Sequence, residues 1–219
     1  MDRLAPFVFM GGTFDPIHNG HLRSALEIAQ WLDVQQLSLI PSQQPVHRGT
    51  PGCTAGQRLE MVARAVASEA TLIADDREIS SAEPSYTILT LQQLRQELGV
   101  ERPLCKVMGM DAFLGLPGWH RWTELLDYCH LIVVKRPGYQ LEPCDKLAAV
   151  LQQSELKDVS ELRNSAAGGI LIHEQTPLEI SATQVRTLIK RGLSPRYLIP
   201  DQVWDYIQTE KLYGFNEEI

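Results

Sequence analysis

A chain of 219 residues is long enough for one main domain, and an apolar content of 44% supplies a full core, which excludes a disordered protein. Its formal net charge of −7 argues against a general nucleic-acid binder, which carries a basic face, and leaves room only for a local basic pocket. Cys53, Cys105, Cys129 and Cys144 are scattered with no C-x-x-C pair, Asp2 and Arg3 precede too short an apolar run for a signal peptide, and no stretch approaches the ~18 apolar residues of a membrane span; a reduced, cytoplasmic protein is expected.

Short apolar runs alternate with helical patterns along the chain. The run 7–10 predicts a first strand, followed by Gly11-Gly12-Thr13-Phe14-Asp15-Pro16-Ile17-His18-Asn19-Gly20-His21 and a helical pattern from near Leu22. A second strand is predicted at 37–40 and a third at 72–74. Between them, 57–68 places Leu59, Val62, Ala63 and Val66 on one helical stripe. Residues 86–98 follow the N-cap candidate Ser85 and align Leu91, Leu94 and Leu98. Runs at 104–108, 131–134 and 170–172 complete six strands. Such alternation predicts an α/β fold, a parallel sheet with helices on both faces, over residues 1–179. Residues 180–219 read differently. A helix around 182–191 stops at Gly192, Ser194-Pro195 turns, and a last helix begins near Pro200 with Val203, Tyr206 and Ile207 apolar, predicting a small C-terminal helical subdomain.

Ligands of open parallel sheets bind at the carboxyl ends of the strands. Each unusual cluster here follows a predicted strand: the glycine-histidine stretch, Pro41 to Arg48, Gly109-Met110-Asp111, and Lys135-Arg136-Pro137-Gly138. Two glycines permit close approach of the backbone to a ligand. His18 and His21, three apart at the start of a helix, add imidazole donors to free N–H groups and a helix dipole that favours an anion. Together they suit a phosphate. No G-x-x-x-x-G-K-[ST] and no G-x-G-x-x-G is present, so neither a P-loop nor a dinucleotide fingerprint holds it. Plainer readings stand beside this one. A histidine pair also suits a metal, though no third ligand is evident; Ser181 or Thr183 also reads as an N-cap, Arg186 as a solvated charge, Trp119 as core.

Gly12-Thr13-Phe14-Asp15-Pro16-Ile17-His18-Asn19-Gly20-His21 resembles the first motif of the nucleotidyltransferases related to class I aminoacyl-tRNA synthetases. Ile180-Ser181-Ala182-Thr183-Gln184-Val185-Arg186 resembles their second, a Ser-x-Thr-x-x-Arg helix start. Pro45-Val46-His47-Arg48, Pro84-Ser85-Tyr86-Thr87, and Gly109-Met110-Asp111 with the following Trp119 narrow the resemblance to the bacterial-type nicotinate-mononucleotide adenylyltransferases, from about residue 6 to Tyr213.

That resemblance implies a Rossmann-like fold and a reaction: ATP and nicotinate mononucleotide give deamido-NAD and pyrophosphate by direct in-line attack, with Mg²⁺ carried mainly on the ATP phosphates and no metal site built from the protein. It implies that His18 and His21 meet the ATP phosphates, with Gly11, Gly12, Thr13, Phe14 and Gly20 around them, and that Ser181, Thr183 and Arg186 grip the β- and γ-phosphates. Arg48 is the implied loop cation; with His18, His21 and Arg186 it makes up the catalytic set. The 41–54 segment, rich in Pro, Gly and Gln, has the composition of a lid. On the acceptor side Trp119 is expected under the pyridine ring, backbone donors near Thr87 and His120 at its carboxylate, Asp111 at the ribose, Arg136 at the phosphate, and His47 beside Arg48. Thr13, Arg48 and His120 stand where the family more often has Ser, Lys and an aromatic residue. Two other functions stay open at this point, adenylyl transfer to a different phosphate acceptor such as phosphopantetheine, and a nucleotide-binding regulator without catalysis.

Overall fold

The computed structural model describes residues 5–44, 50–135, 141–176 and 178–216. Six strands, β1 (Phe7–Gly12), β2 (Leu37–Pro41), β3 (Leu72–Ala74), β4 (Leu104–Gly109), β5 (His130–Lys135) and β6 (Ile170–Glu174), form one sheet in the order β3-β2-β1-β4-β5-β6. Every pairing is parallel; Met10 of β1 lies opposite Leu39 of β2 on one side and Val107 of β4 on the other. The six predicted strands are all present, most of them a residue or two longer than predicted. With both faces of the sheet covered, β2 is buried along its whole length and β5 in all but Lys135, which is why Leu131-Ile132-Val133-Val134 reads as an unbroken apolar run.

Nine helices accompany the sheet among the described residues: α1 (Asn19–Trp31), α2 (Ala55–Val66), α3 (Thr87–Leu98), α4 (Met110–Leu114), α5 (Leu125–Tyr128), α6 (Asp145–Ser154), α7 (Val159–Leu162), α8 (Ala182–Lys190) and α9 (Asp201–Thr209). Side chains alternate across a strand, and β1 shows it directly. Val8 and Met10 join a cluster with Ala25 and Ile28 of α1, Met61 and Val62 of α2, and Val185 and Val203 of α8 and α9. Phe9 joins the opposite cluster with Ile88 and Leu91 of α3, Phe113 of α4 and Leu147 of α6. Helices therefore cover both faces, and residues of α8 and α9 share one core with β1.

Several local expectations are corrected. α1 begins at Asn19, three residues before the predicted Leu22, because His18 already serves as its N-cap. α2 begins at Ala55, two residues before the predicted start. Thr54 caps it: its hydroxyl accepts from Gln57 N–H at 3.2 Å while the Gln57 side chain accepts from Thr54 N–H at 3.0 Å, a reciprocal capping box. Its buried face is Arg58, Met61, Val62 and Val66; Leu59 and Ala63, predicted on that stripe, are only half-buried. Ser85 does not cap α3. Tyr86 holds that position without a side-chain bond, and the Ser85 hydroxyl instead accepts from Gln43 N–H at 2.8 Å, fastening the loop after β2. Gly192, at φ 70°, follows α8 as predicted, and Pro200 stands as the N-cap of α9.

Candidate active site

β1 and β4 are neighbours, but the chain leaves β1 toward β2 and leaves β4 toward β5. The strand order reverses there, and a crevice opens above the carboxyl ends, the usual ligand position of such sheets. A cleft of about 520 Å³ fills it. Another depression, of about 480 Å³, surrounds Arg77, whose guanidinium is already tied to Asp75 and Glu97 (2.8 and 3.0 Å), so it offers a ligand no available cation.

One wall of the cleft comes from the loop after β1 and the start of α1. Gly11, Gly12, Thr13, Phe14, His18 and His21 line it. His18 is buried with extended backbone (φ −144°, ψ 167°), and its ring stacks on that of His21 at 3.6 Å between centroids and 22° between planes. Phe14, in the left-handed region at φ 47°, sets its ring edge-on to His21 at 5.1 Å and fixes that imidazole from the other side. Gly20 is the spacer: a Cβ there would stand 3.0 Å from His18 Nδ1, so a side chain would displace the ring. One expectation is amended. The first N–H of α1 is not open to an anion, because Asn19 N–H donates to the Leu198 carbonyl at 2.8 Å and its side-chain amide donates to the Tyr197 carbonyl at 2.8 Å.

The start of α8 faces this wall. Ser181, Thr183 and Arg186 line the same cleft as the two histidines, although most of the chain separates the two groups. Ser181 is the N-cap, its hydroxyl accepting from Gln184 N–H at 3.1 Å. Arg186 is held in place by donating to the Asp15 carbonyl and, at 3.2 Å, to the Thr183 hydroxyl, with the Asp15 carboxylate 3.5 Å away.

Thr87, Asp111, Trp119 and His120 line the other end. Thr87 is the first residue of α3, and Asp111 lies in the first turn of α4. Exposed His120 tilts against the Tyr86 ring at 4.5 Å between centroids. Trp119 is half-buried in the cleft, whereas Trp122 packs against the core without reaching it. His47, Arg48 and Arg136 lie outside the described residues, as does the whole Pro45 to Arg48 motif.

Sequence reasoning missed three groups that build the site. Buried Arg58 reaches from α2 to the carbonyls of Thr13 (2.7 Å) and Gln43 (2.9 Å), joining the loops after β1 and β2. Asp15 accepts from Gly52 N–H and from the Tyr213 hydroxyl, each at 2.9 Å, so one carboxylate ties the first motif to the 50s loop and to the C-terminal turn. Lys106 stands in the middle of β4 and lines the cleft floor. Two of these carried a signal: Arg58 interrupts the apolar stripe of α2 four residues before Val62, and Lys106 is a lone cation in the run Leu-Cys-Lys-Val-Met.

The model of the cytidylyltransferase-like family matches residues 9–188, a span that contains both cleft-forming motifs. A protein of Pseudomonas putida strain W619 described as "Probable nicotinate-nucleotide adenylyltransferase" is 48% identical over 204 residues, 93% of each chain. One of Aeromonas hydrophila with the same description is 46% identical over 208 residues, 95% of this chain and 97% of the relative.

The chain belongs to the nicotinate-nucleotide adenylyltransferase family.

The fold is shared with a distant solved structure. Plasmodium falciparum nicotinic acid mononucleotide adenylyltransferase, complexed with NaAD, superposes with a TM-score of 0.75 over 97% of this chain and 99% of that one at 16% identity. The family's glycine-histidine and Ser-x-Thr-x-x-Arg motifs are here the two facing walls of one cleft.

Proposed function

We propose that this protein transfers the adenylyl group of ATP to nicotinate mononucleotide, giving nicotinate adenine dinucleotide and pyrophosphate, as the description of its relatives suggests. The observation that carries this reading is the convergence of His18 and His21 with Ser181, Thr183 and Arg186 at one end of a cleft whose other end is walled by Trp119. Two polyanions fit side by side there, and the acceptor phosphate needs no general base, since it is already an anion at neutral pH. Its oxygen attacks the α-phosphorus as the bond to the pyrophosphate oxygen breaks, and the electron pair leaves on pyrophosphate.

His18 and His21 donate N–H groups to the phosphate oxygens where charge grows, His18 at the α-phosphate. Ser181, Thr183 and Arg186 hold the β- and γ-phosphates, with Gly11, Gly12, Thr13, Phe14 and Gly20 shaping the pocket. Trp119 offers a flat apolar face to the pyridine ring, Asp111 accepts from ribose hydroxyls, and backbone N–H groups at Thr87 and His120 meet the ring carboxylate. We assign Arg48 and His47 to the loop that closes on the phosphates, and Arg136 to the acceptor phosphate. Among the described residues no cluster of His, Cys, Asp or Glu could cage a metal. We assign Mg²⁺ to ATP itself, where the cation would screen the triphosphate. We assign the reaction to the cytoplasm; the four cysteines form no disulfide, and no described helix is long and apolar enough to cross a membrane.

Pyrophosphate release from ATP, measured with a panel of phosphate acceptors, tests the reading. Nicotinate mononucleotide is the expected preferred acceptor, with turnover stopped by a chelator. Faster turnover with phosphopantetheine overturns the acceptor, and ATP binding without pyrophosphate release for every acceptor overturns the reaction.

A further inference from the structure

Lys106 is a cation that the phosphate chemistry leaves unused. It is 5% exposed, yet it lines the cleft between Gly11 and Trp119. Its Nζ lies 5.0 Å from the Phe9 ring centroid and 5.6 Å from that of Trp119. Gly11 leaves space for it, since a Cβ there would come within 3.2 Å of the amine. Among the described residues no hydrogen bond or ion pair ends on this nitrogen. Glu78 shares the cleft and favours the charge from a distance, but its carboxylate is drawn toward α3 by the Thr90 hydroxyl at 2.7 Å. Burial pulls the amine's pKa down, the expected response of an ammonium short of an acceptor.

A buried ammonium without a hydrogen-bond acceptor is costly, and an arriving carboxylate removes that cost while a neutral carboxamide does not. The 5.6 Å between Nζ and the Trp119 ring centroid leaves the amine within reach of a substituent on a ring stacked there. We propose that Lys106 is the side chain that reads the acid group of the acceptor, its ammonium pairing with the ring carboxylate of nicotinate mononucleotide and discriminating against the carboxamide of nicotinamide mononucleotide. This inference rests on the acceptor assigned above. It adds a side-chain charge to the backbone donors at Thr87 and His120, so it places part of the acid preference in one replaceable residue.

The test is steady-state kinetics of wild type, Lys106→Met and Lys106→Gln with each pyridine mononucleotide, ATP and Mg²⁺, with circular dichroism confirming that each variant is folded. Both substitutions remove a buried charge while keeping an unbranched side chain. Loss of a charged hydrogen bond lowers kcat/KM for nicotinate mononucleotide by about tenfold or more, through KM. The value for nicotinamide mononucleotide is expected to hold or rise, so the ratio between acceptors narrows. An unchanged ratio, or equal losses with both acceptors, overturns the role of Lys106 and leaves the reaction standing. A wild-type enzyme that adenylylates neither pyridine mononucleotide, or prefers the amide, overturns the acceptor assignment and this inference with it.

Discussion

His18 and His21 illustrate how one residue can be legible in type but not in geometry. Their spacing placed both imidazoles at a helix start; the structure adds that the rings stack at 3.6 Å, with Gly20 keeping the space beside His18 clear. Donors of this kind act on charge that develops as the bond breaks, so His18→Ala is expected to lower kcat by about 10²–10³-fold while barely changing KM for nicotinate mononucleotide. Initial-rate kinetics over both substrates read this out, and unchanged turnover would remove the phosphate clamp. Trp119 has the opposite weighting. In the proposed stacking role it supplies flat apolar contact to the acceptor ring, so Trp119→Ala is expected to raise the acceptor KM with little loss of kcat. A purely kcat effect would contradict the stacking role.

At the scale of elements, sequence patterns located helices better than they located faces. The stripe of α2 was legible as a helix, but Leu59 and Ala63 are half-buried while Arg58 points inward, because its guanidinium has two loop carbonyls to satisfy. No periodicity index credits a charged residue with that task. Replacing Arg58 by Met leaves the carbonyls of Thr13 and Gln43 without this donor, and a destabilisation of about 2–3 kcal/mol is expected, read as a lower urea midpoint at unchanged m-value. The same variant should raise KM for ATP, since Thr13 belongs to the first motif. α4 and α7, with five and four residues, escaped prediction because they are too short to show a helical period. Ser85 was misassigned for another reason: a serine before a helix is a cap only if its hydroxyl turns to that helix, and here the loop after β2 takes it.

At the scale of the whole molecule, two histidines hold the outer sheet. The His130 ring accepts from Gly169 N–H at 3.0 Å through Nδ1, which leaves Nε2 to donate to the Ser165 carbonyl at 2.9 Å, so the folded state holds it neutral. Burial lowers its pKa, and burial also lowers that of His173, which stacks on Trp31 at 3.9 Å. The unfolded chain therefore binds more protons below the ordinary histidine pKa. This contribution to stability is complete above about pH 6.5 and is lost as pH falls from there toward the lowered folded values. The melting temperature is expected to drop between about pH 7.5 and about pH 5.5, with a shallower slope in His130→Gln. An equal slope in that variant would assign the effect elsewhere. Tyr213 acts over a similar distance, its hydroxyl donating to Asp15 at 2.9 Å across nearly the full length of the chain.

Six parallel strands, their alternation with helices, and the glycine-histidine and Ser-x-Thr-x-x-Arg motifs were all determined by the sequence, because these depend on local period, glycine placement and residue type near one another. Their meeting in a single cleft was decided by the tertiary structure. Order β3-β2-β1-β4-β5-β6 sets β1 beside β4, and the packing of α8 against the β1 face brings Arg186 to Asp15. Lys106 belongs to the same class. A lone lysine in an apolar strand is visible in sequence, but only the fold shows that its amine stands beside Trp119 with no hydrogen-bond acceptor among the described residues. Local sequence fixes local conformation; side chains far apart in the chain acquire partners, or lack them, only when the sheet is assembled.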